Sequence, residues 1–90
     1  MRMAAHWVRG RITALERVAT FLLEMFERRD RTKTLDLPMS RNDIADYLGL
    51  TIETVCRTLS AFKRDAVIAI PNPHRIELTD RGALETIAEA

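Results

Sequence analysis

The sequence predicts a mainly α fold with a small antiparallel β hairpin, and three observations predict it. Apolar residues recur at helical spacing in four stretches, around Leu22, Ile44, Leu59 and Leu84. Two β-prone runs, Ala66-Val67-Ile68-Ala69-Ile70 and Arg75-Ile76-Glu77-Leu78, flank Pro71-Asn72-Pro73-His74 and read as a hairpin. Leu48-Gly49-Leu50 places a glycine where two of the short helices must meet at a tight turn. Two short helices across such a turn, followed directly by a hairpin, form a winged helix-turn-helix.

Bulk properties narrow the function. Ninety residues, 47% hydrophobic and 30% charged, suit one small domain. The apolar stretches fall short of the roughly 20 residues that cross a membrane. MRMAAHWVRGR lacks the apolar core of a signal peptide, so a cytoplasmic location is expected, with no membrane partner. Cys56 stands alone, and His6 and His74 give it no metal-ligand spacing, so neither a disulfide nor a metal or other cofactor is expected. No convergent His/Asp/Ser or carboxylate set and no glycine-rich phosphate loop suggests an enzyme. The net charge is only +1, with eight Lys/Arg against four Asp/Glu in residues 1 to 35 and six against nine in residues 36 to 90. The half with the helix-turn-helix is therefore acidic in sum, and any nucleic-acid recognition must come from local geometry.

Along the chain, residues 1 to 9 form a stub and Gly10 a break, after which Thr13 and Glu16 fit a capping box. Leu15, Val18, Ala19, Leu22, Met25 and Phe26 then form the inner stripe of a scaffold helix, with Arg17, Glu24, Glu27 and Arg28 outside. The mixed-charge run Glu27 to Thr34 ends that helix in a polar connection. Leu35-Asp36-Leu37 alternates like a very short strand stopped by Pro38. Ser40, with Asp43 three residues on, caps the next helix, whose Ile44, Ala45 and Leu48 point inward. Ala45 permits a close helix crossing, Gly49 supplies a positive φ, and Leu50 plugs the angle between the helices.

Thr51 caps the second helix of the pair, running to Arg64, and Glu53 suits the positive end of its dipole. At 100° per residue Val55, Thr58, Leu59 and Phe62 share the inner side, while Glu53, Arg57, Ser60 and Arg64, flanked by Cys56, share the outer one. Glutamate and arginine are base-reading side chains, and at this spacing they are also an ordinary i,i+4 surface pair. His74 and Arg75 lie near the tip of the hairpin, where His74 also suits a plain exposed loop. Thr79 or Asp80 caps a last helix with Ala83, Leu84, Ile87 and Ala88 inside.

Three stretches carry a family likeness: GRITALERVATFLLEM, LPMSRNDIADYLGLTIETVCRTLSAFKR and LTDRGALETIA. They resemble the C-terminal DNA-binding domain of the CRP/FNR family of bacterial regulators, in its FNR- and FixK-like branch. The likeness spans about residues 10 to 88. It implies a remnant of a dimerisation helix over residues 1 to 10 and the winged domain over residues 11 to 90. It also implies a fragment or a sensor-less relative, because full-length members carry a sensor barrel ahead of that helix.

The resemblance implies transcription regulation by sequence-specific binding to double-stranded DNA, with Thr51 to Arg64 in the major groove. FNR-like members read a TTGA-type half-site through a glutamate and an arginine four residues later, matched here by Glu53 and Arg57. Arg57 would donate to guanine O6 and N7, Glu53 would accept from cytosine N4, and Ile52 or the Thr54 methyl would touch thymine methyl groups. Ser40, Arg41, Thr51, Thr54 and His74 would contact phosphates, and the wing near Pro71 to Arg75 would lie on the backbone. Cys56 replaces the serine that often precedes the arginine; its thiol would lie beside DNA, where oxidation adds bulk or charge. A homodimer, through the N-terminal helix or neighbouring half-sites, and RNA polymerase are further implied partners. The acidic C-terminal half keeps one alternative open, a winged-helix module that docks another protein and binds no DNA.

Overall fold

A computed structural model describes residues 13–28, 33–37 and 39–89. The expected stub, the Gly10 break, residues 29 to 32 of the polar connection and the Pro38 stop lie outside the described residues. The elements run α1 (Ala14–Arg28), β1 (Thr34–Asp36), α2 (Arg41–Leu48), α3 (Ile52–Arg64), β2 (Ile68–Asn72), β3 (Arg75–Leu78) and α4 (Arg81–Glu89). The result is the expected winged helix-turn-helix, and the very short strand expected near Leu35 is present as β1.

Each helix starts where a side chain satisfies its free N–H groups. Glu16 N–H donates to Thr13 Oγ1 at 3.1 Å and Thr13 N–H to Glu16 Oε1 at 3.0 Å, closing the expected box. Ser40 and Asp43 form the same reciprocal pair, at 3.1 and 3.3 Å. Thr51 Oγ1 accepts from Thr54 N–H at 3.1 Å. Asp80 is the cap of α4, its Oδ1 accepting from Ala83 N–H at 3.0 Å, which decides between Asp80 and Thr79.

The core joins Val18, Ala19, Leu22 and Phe26 of α1 to Ile44 and Ala45, to Val55, Leu59 and Phe62, to Leu35, Ile68 and Ile76 of the strands, and to Leu84. Packing of α1 against α4 and α3 forms the base on which α2 and α3 cross. The inner stripe of α1 differs from expectation in its first turn. Leu15 is 45% exposed, whereas Phe21 is buried, and so is Glu16, whose carboxylate folds back onto Thr13.

Helices α2 and α3 end alike. After α2, Leu50 N–H donates to the Ala45 carbonyl at 2.8 Å and Gly49 N–H to Asp46 at 3.4 Å, with Gly49 at φ +72°. After α3, Val67 N–H donates to Phe62 at 2.9 Å and Ala66 N–H to Lys63 at 3.1 Å, with Ala66 at φ +60°. Both are Schellman closures, in which a left-handed residue lets the chain turn back and satisfy the last carbonyls. Ala66 and Val67, expected in the strand, are instead consumed by this closure, so β2 begins at Ile68.

The sheet has the order β1-β3-β2, both pairings antiparallel. Its hairpin turn is shorter than the expected four-residue connection: Asn72 pairs with Arg75, leaving only Pro73 and His74 between them. Pro71 is tolerated because β2 is an edge strand whose register is irregular between Ala69 and Asn72. Asn72 Oδ1 accepts from His74 N–H at 3.0 Å and closes the tip. The third strand, β1, pairs Asp36 with Arg75 and gives the wing a second hydrogen-bonded neighbour.

Candidate nucleic-acid interface

On α3 the division of faces is clear. Val55, Thr58, Leu59 and Phe62 are buried, whereas Ile52, Glu53, Cys56, Arg57 and Ser60 are exposed. Ile52, Glu53, Cys56 and Arg57 therefore share one open surface over the first two turns. Among the described residues no ion pair joins Glu53 to Arg57, so the ordinary surface-pair reading of that spacing is not realised. Glu53 sits in the first turn and Lys63 and Arg64 in the last, each opposite in sign to the nearby end of the helix dipole.

The hydroxyl groups around the helix starts differ in what they have left to offer. Thr51 Oγ1 accepts from the Thr54 amide and donates to Thr54 Oγ1 at 2.9 Å, so its own proton is committed. Thr54, half-buried, keeps its proton for an outside acceptor. Ser40 accepts from Asp43 N–H through its hydroxyl and likewise keeps a proton to donate. Arg41 is half-buried in the first turn of α2.

His74 is exposed at the wing tip, and its carbonyl accepts from Leu37 N–H at 2.7 Å, which ties the tip to the end of β1. The structure thus distributes the expected residues over three elements: Ser40 and Arg41 at α2, Thr51 to Arg57 at α3, and His74 at the wing. Beside His74, Arg75 Nε lies 2.9 Å from Asp36 Oδ1. The hydrogen bond to Asp36, followed by the charges of Asp36 and Glu77, holds the Arg75 guanidinium above its ordinary pKa.

Three features escaped sequence reasoning. Arg17, expected outside, donates from Nη1 to the Leu48 carbonyl at 2.8 Å. Tyr47 is 67% exposed, its ring 5.8 Å from that of Phe21. The Asp36–Arg75 pair depends on the β1–β3 register; the alternation at Leu35-Asp36-Leu37 points to the strand, but nothing in it says that the strand joins the wing. A surface depression of about 440 Å³ lies among Arg17, Thr20, Phe21, Glu24, Tyr47 and other residues of α1 and α2, and no α3 side chain lines it. The α3 face lies apart from this depression, and its side chains are open to solvent.

Sequence and structure comparisons agree with this geometry. The model of the Crp-like helix-turn-helix domain matches residues 16–87. The nitrogen fixation regulation protein FixK of Rhizobium meliloti is 46% identical over a match covering 87% of this chain and 37% of that protein. The transcriptional activator protein FnrL of Cereibacter sphaeroides is also 46% identical, over 79% of this chain and 32% of that protein. The structure of FixK2 from Bradyrhizobium japonicum superposes with a TM-score of 0.82 at 46% identity, covering 90% of this chain and 41% of that one. The chain spans about a third of the length of such relatives, 37% and 32% for the two regulators. By the domain match and these relatives, the chain belongs to the CRP/FNR family of transcription regulators, in its FixK-like branch, and its fold is that family's winged helix-turn-helix.

Proposed function

We propose that this chain binds double-stranded DNA sequence-specifically to regulate transcription, with α3 in the major groove of a TTGA-like half-site. One observation carries the reading: α3 buries Val55, Thr58, Leu59 and Phe62 and leaves Ile52, Glu53, Cys56 and Arg57 together on an exposed face. Arg57 donates to guanine O6 and N7, Glu53 accepts from cytosine N4, and Ile52 or the Thr54 methyl meets a thymine methyl. Each good bidentate contact supplies about 1–3 kcal/mol of discrimination. Ser40, Arg41, Thr54 and His74 touch phosphates and fix the register, Thr51 joins them by turning its hydroxyl proton from Thr54 to the phosphate, and the wing from Pro71 to Arg75 lies along the backbone.

Cys56 stands beside the bases, and its exposed thiol makes binding sensitive to oxidation. Pairing of two copies on neighbouring half-sites supplies the affinity that one half-site lacks, and RNA polymerase is the partner through which a bound dimer acts.

The test is selection of bound sequences from random duplexes at low salt, with the mass of the complex measured alongside. Enrichment of a TTGA-like half-site supports the reading, and an enriched pool with no common sequence contradicts it. The acidic balance of residues 36 to 90, six Lys/Arg against nine Asp/Glu, favours a second reading as a protein-docking module. No DNA retention at low salt, together with salt-independent capture of a polypeptide, would select that one.

A further inference from the structure

The wing carries its cation in an unusual setting. Arg75 is the first residue of β3, next to the Pro73-His74 turn, and it is the one Lys or Arg in the hairpin from Ile68 to Leu78. Across the sheet the β1–β3 register places Asp36 directly opposite it. Their side chains meet at 2.9 Å through Nε alone, and both remain substantially exposed, Arg75 at 44% and Asp36 at 66%. The carbonyl of His74 and the amide of Leu37 bond one residue further along the same two segments, so the backbone fixes this pairing. A guanidinium held this way uses only Nε in that contact, which leaves its Nη groups as further donors, and the Asp36 carboxylate offsets its charge.

On the reading that the wing lies along a DNA backbone, we propose that Arg75 is a latent phosphate contact and that Asp36 is the positioning residue that silences it. A phosphate approaching Arg75 meets a guanidinium whose charge is offset by the carboxylate bonded to it, so the wing releases less counterion and adds less sequence-independent affinity than a free arginine would. Discrimination then falls to the α3 side chains that touch base edges. Asp36 raises the ratio of specific to non-specific binding by withholding charge, which suits a half-chain that is acidic in sum.

The experiment measures affinity of the whole chain for its selected duplex and for an unrelated duplex over a range of salt concentrations. Asp36→Asn keeps an acceptor in place and removes the charge. It should tighten binding to both duplexes, on the order of 5-fold at 0.1 M salt, and steepen the slope of log K against log salt by about 0.9, the value for one added phosphate. Asp36→Ser should change both in the same direction. In an Arg75→Ala background, Asp36→Asn should leave affinity and slope where Arg75→Ala alone puts them.

If Asp36→Asn tightens binding equally with and without Arg75, its effect is a general field and the proposal is overturned. An unchanged salt slope in Asp36→Asn, with DNA binding otherwise intact, also overturns it and leaves the α3 reading standing. Failure of the native chain to retain any duplex at low salt overturns both.

Discussion

Arg17, in the second turn of α1, donates through Nη1 to the carbonyl of Leu48 at 2.8 Å, thirty-one positions along the chain. Leu48 ends α2, so its carbonyl has no successor in the helix to bond it, and a charged donor from the scaffold helix takes that place. The bond pins the turn of the helix-turn-helix to α1 and with it the angle at which α3 projects. Arg17→Met keeps an apolar stem and removes the donor. Urea unfolding should show a loss of about 1–2 kcal/mol with an unchanged m value. No shift in the midpoint would mean that the guanidinium is not held there in solution.

The two Schellman closures give opposite expectations for the same exchange of residues. Gly49 at φ +72° would place an added Cβ 3.5 Å from Arg17 Nη1, an ordinary contact, so Gly49→Ala is penalised by its backbone and not by a clash. A left-handed alanine costs roughly 1–2 kcal/mol. Ala66 already bears that strain at φ +60°. Ala66→Gly should therefore stabilise the domain, by about 0.5–1 kcal/mol once the greater freedom of glycine in the unfolded chain is deducted. Thermal unfolding of both variants checks this, and a destabilised Ala66→Gly protein would refute the account of strain.

These residues also show what a sequence can disclose. Gly49 was legible because glycine between two helical stripes advertises a positive φ, and the stripe Val55, Thr58, Leu59, Phe62 was legible because its 3.6-residue period runs unbroken through the middle of the helix, away from the first turn where Leu15 departs from the stripe of α1. Ala66 gives no such notice: alanine is a good helix former, and only the joint demand of ending α3 and starting β2 forces it left-handed. Arg17 and Asp36 were illegible for a related reason. Their partners lie thirty-one and thirty-nine positions away, and a charged residue on an outer face looks the same whether it meets water, a carbonyl or a guanidinium. Glu53 and Arg57 were placed by periodicity, but the role proposed for them as readers came from the likeness of the surrounding segment to a family.

Cys56 lies between Val55, which is buried, and Arg57 on the open face of α3, and its side chain is exposed. If that face meets base edges, peroxide treatment should weaken DNA binding of the native chain, because a sulfinic or sulfonic group adds negative charge beside the bases. Cys56→Ser should bind in the absence of oxidant and resist it. Affinities measured before and after peroxide decide the matter, and an equal loss in both proteins would remove Cys56 from the explanation.

Arg57 and Arg41 should separate the two kinds of contact. Arg57 is exposed on the open face of α3, where the proposed bidentate bond to guanine would carry information about the base; Arg41 is half-buried at the start of α2 and is proposed to meet the backbone. Arg57→Ala should cost about 1–3 kcal/mol on the selected site, a loss concentrated at one base pair, so that duplexes altered at that pair bind the variant as well as the original does. Arg41→Ala should weaken all duplexes alike and lower the salt slope by about one unit. Affinities for the selected site and its single-base variants, measured at fixed salt, give both sequence profiles. Identical profiles for the two variants would mean that α3 does not present Arg57 to a base, and the orientation proposed for the recognition helix would have to be abandoned.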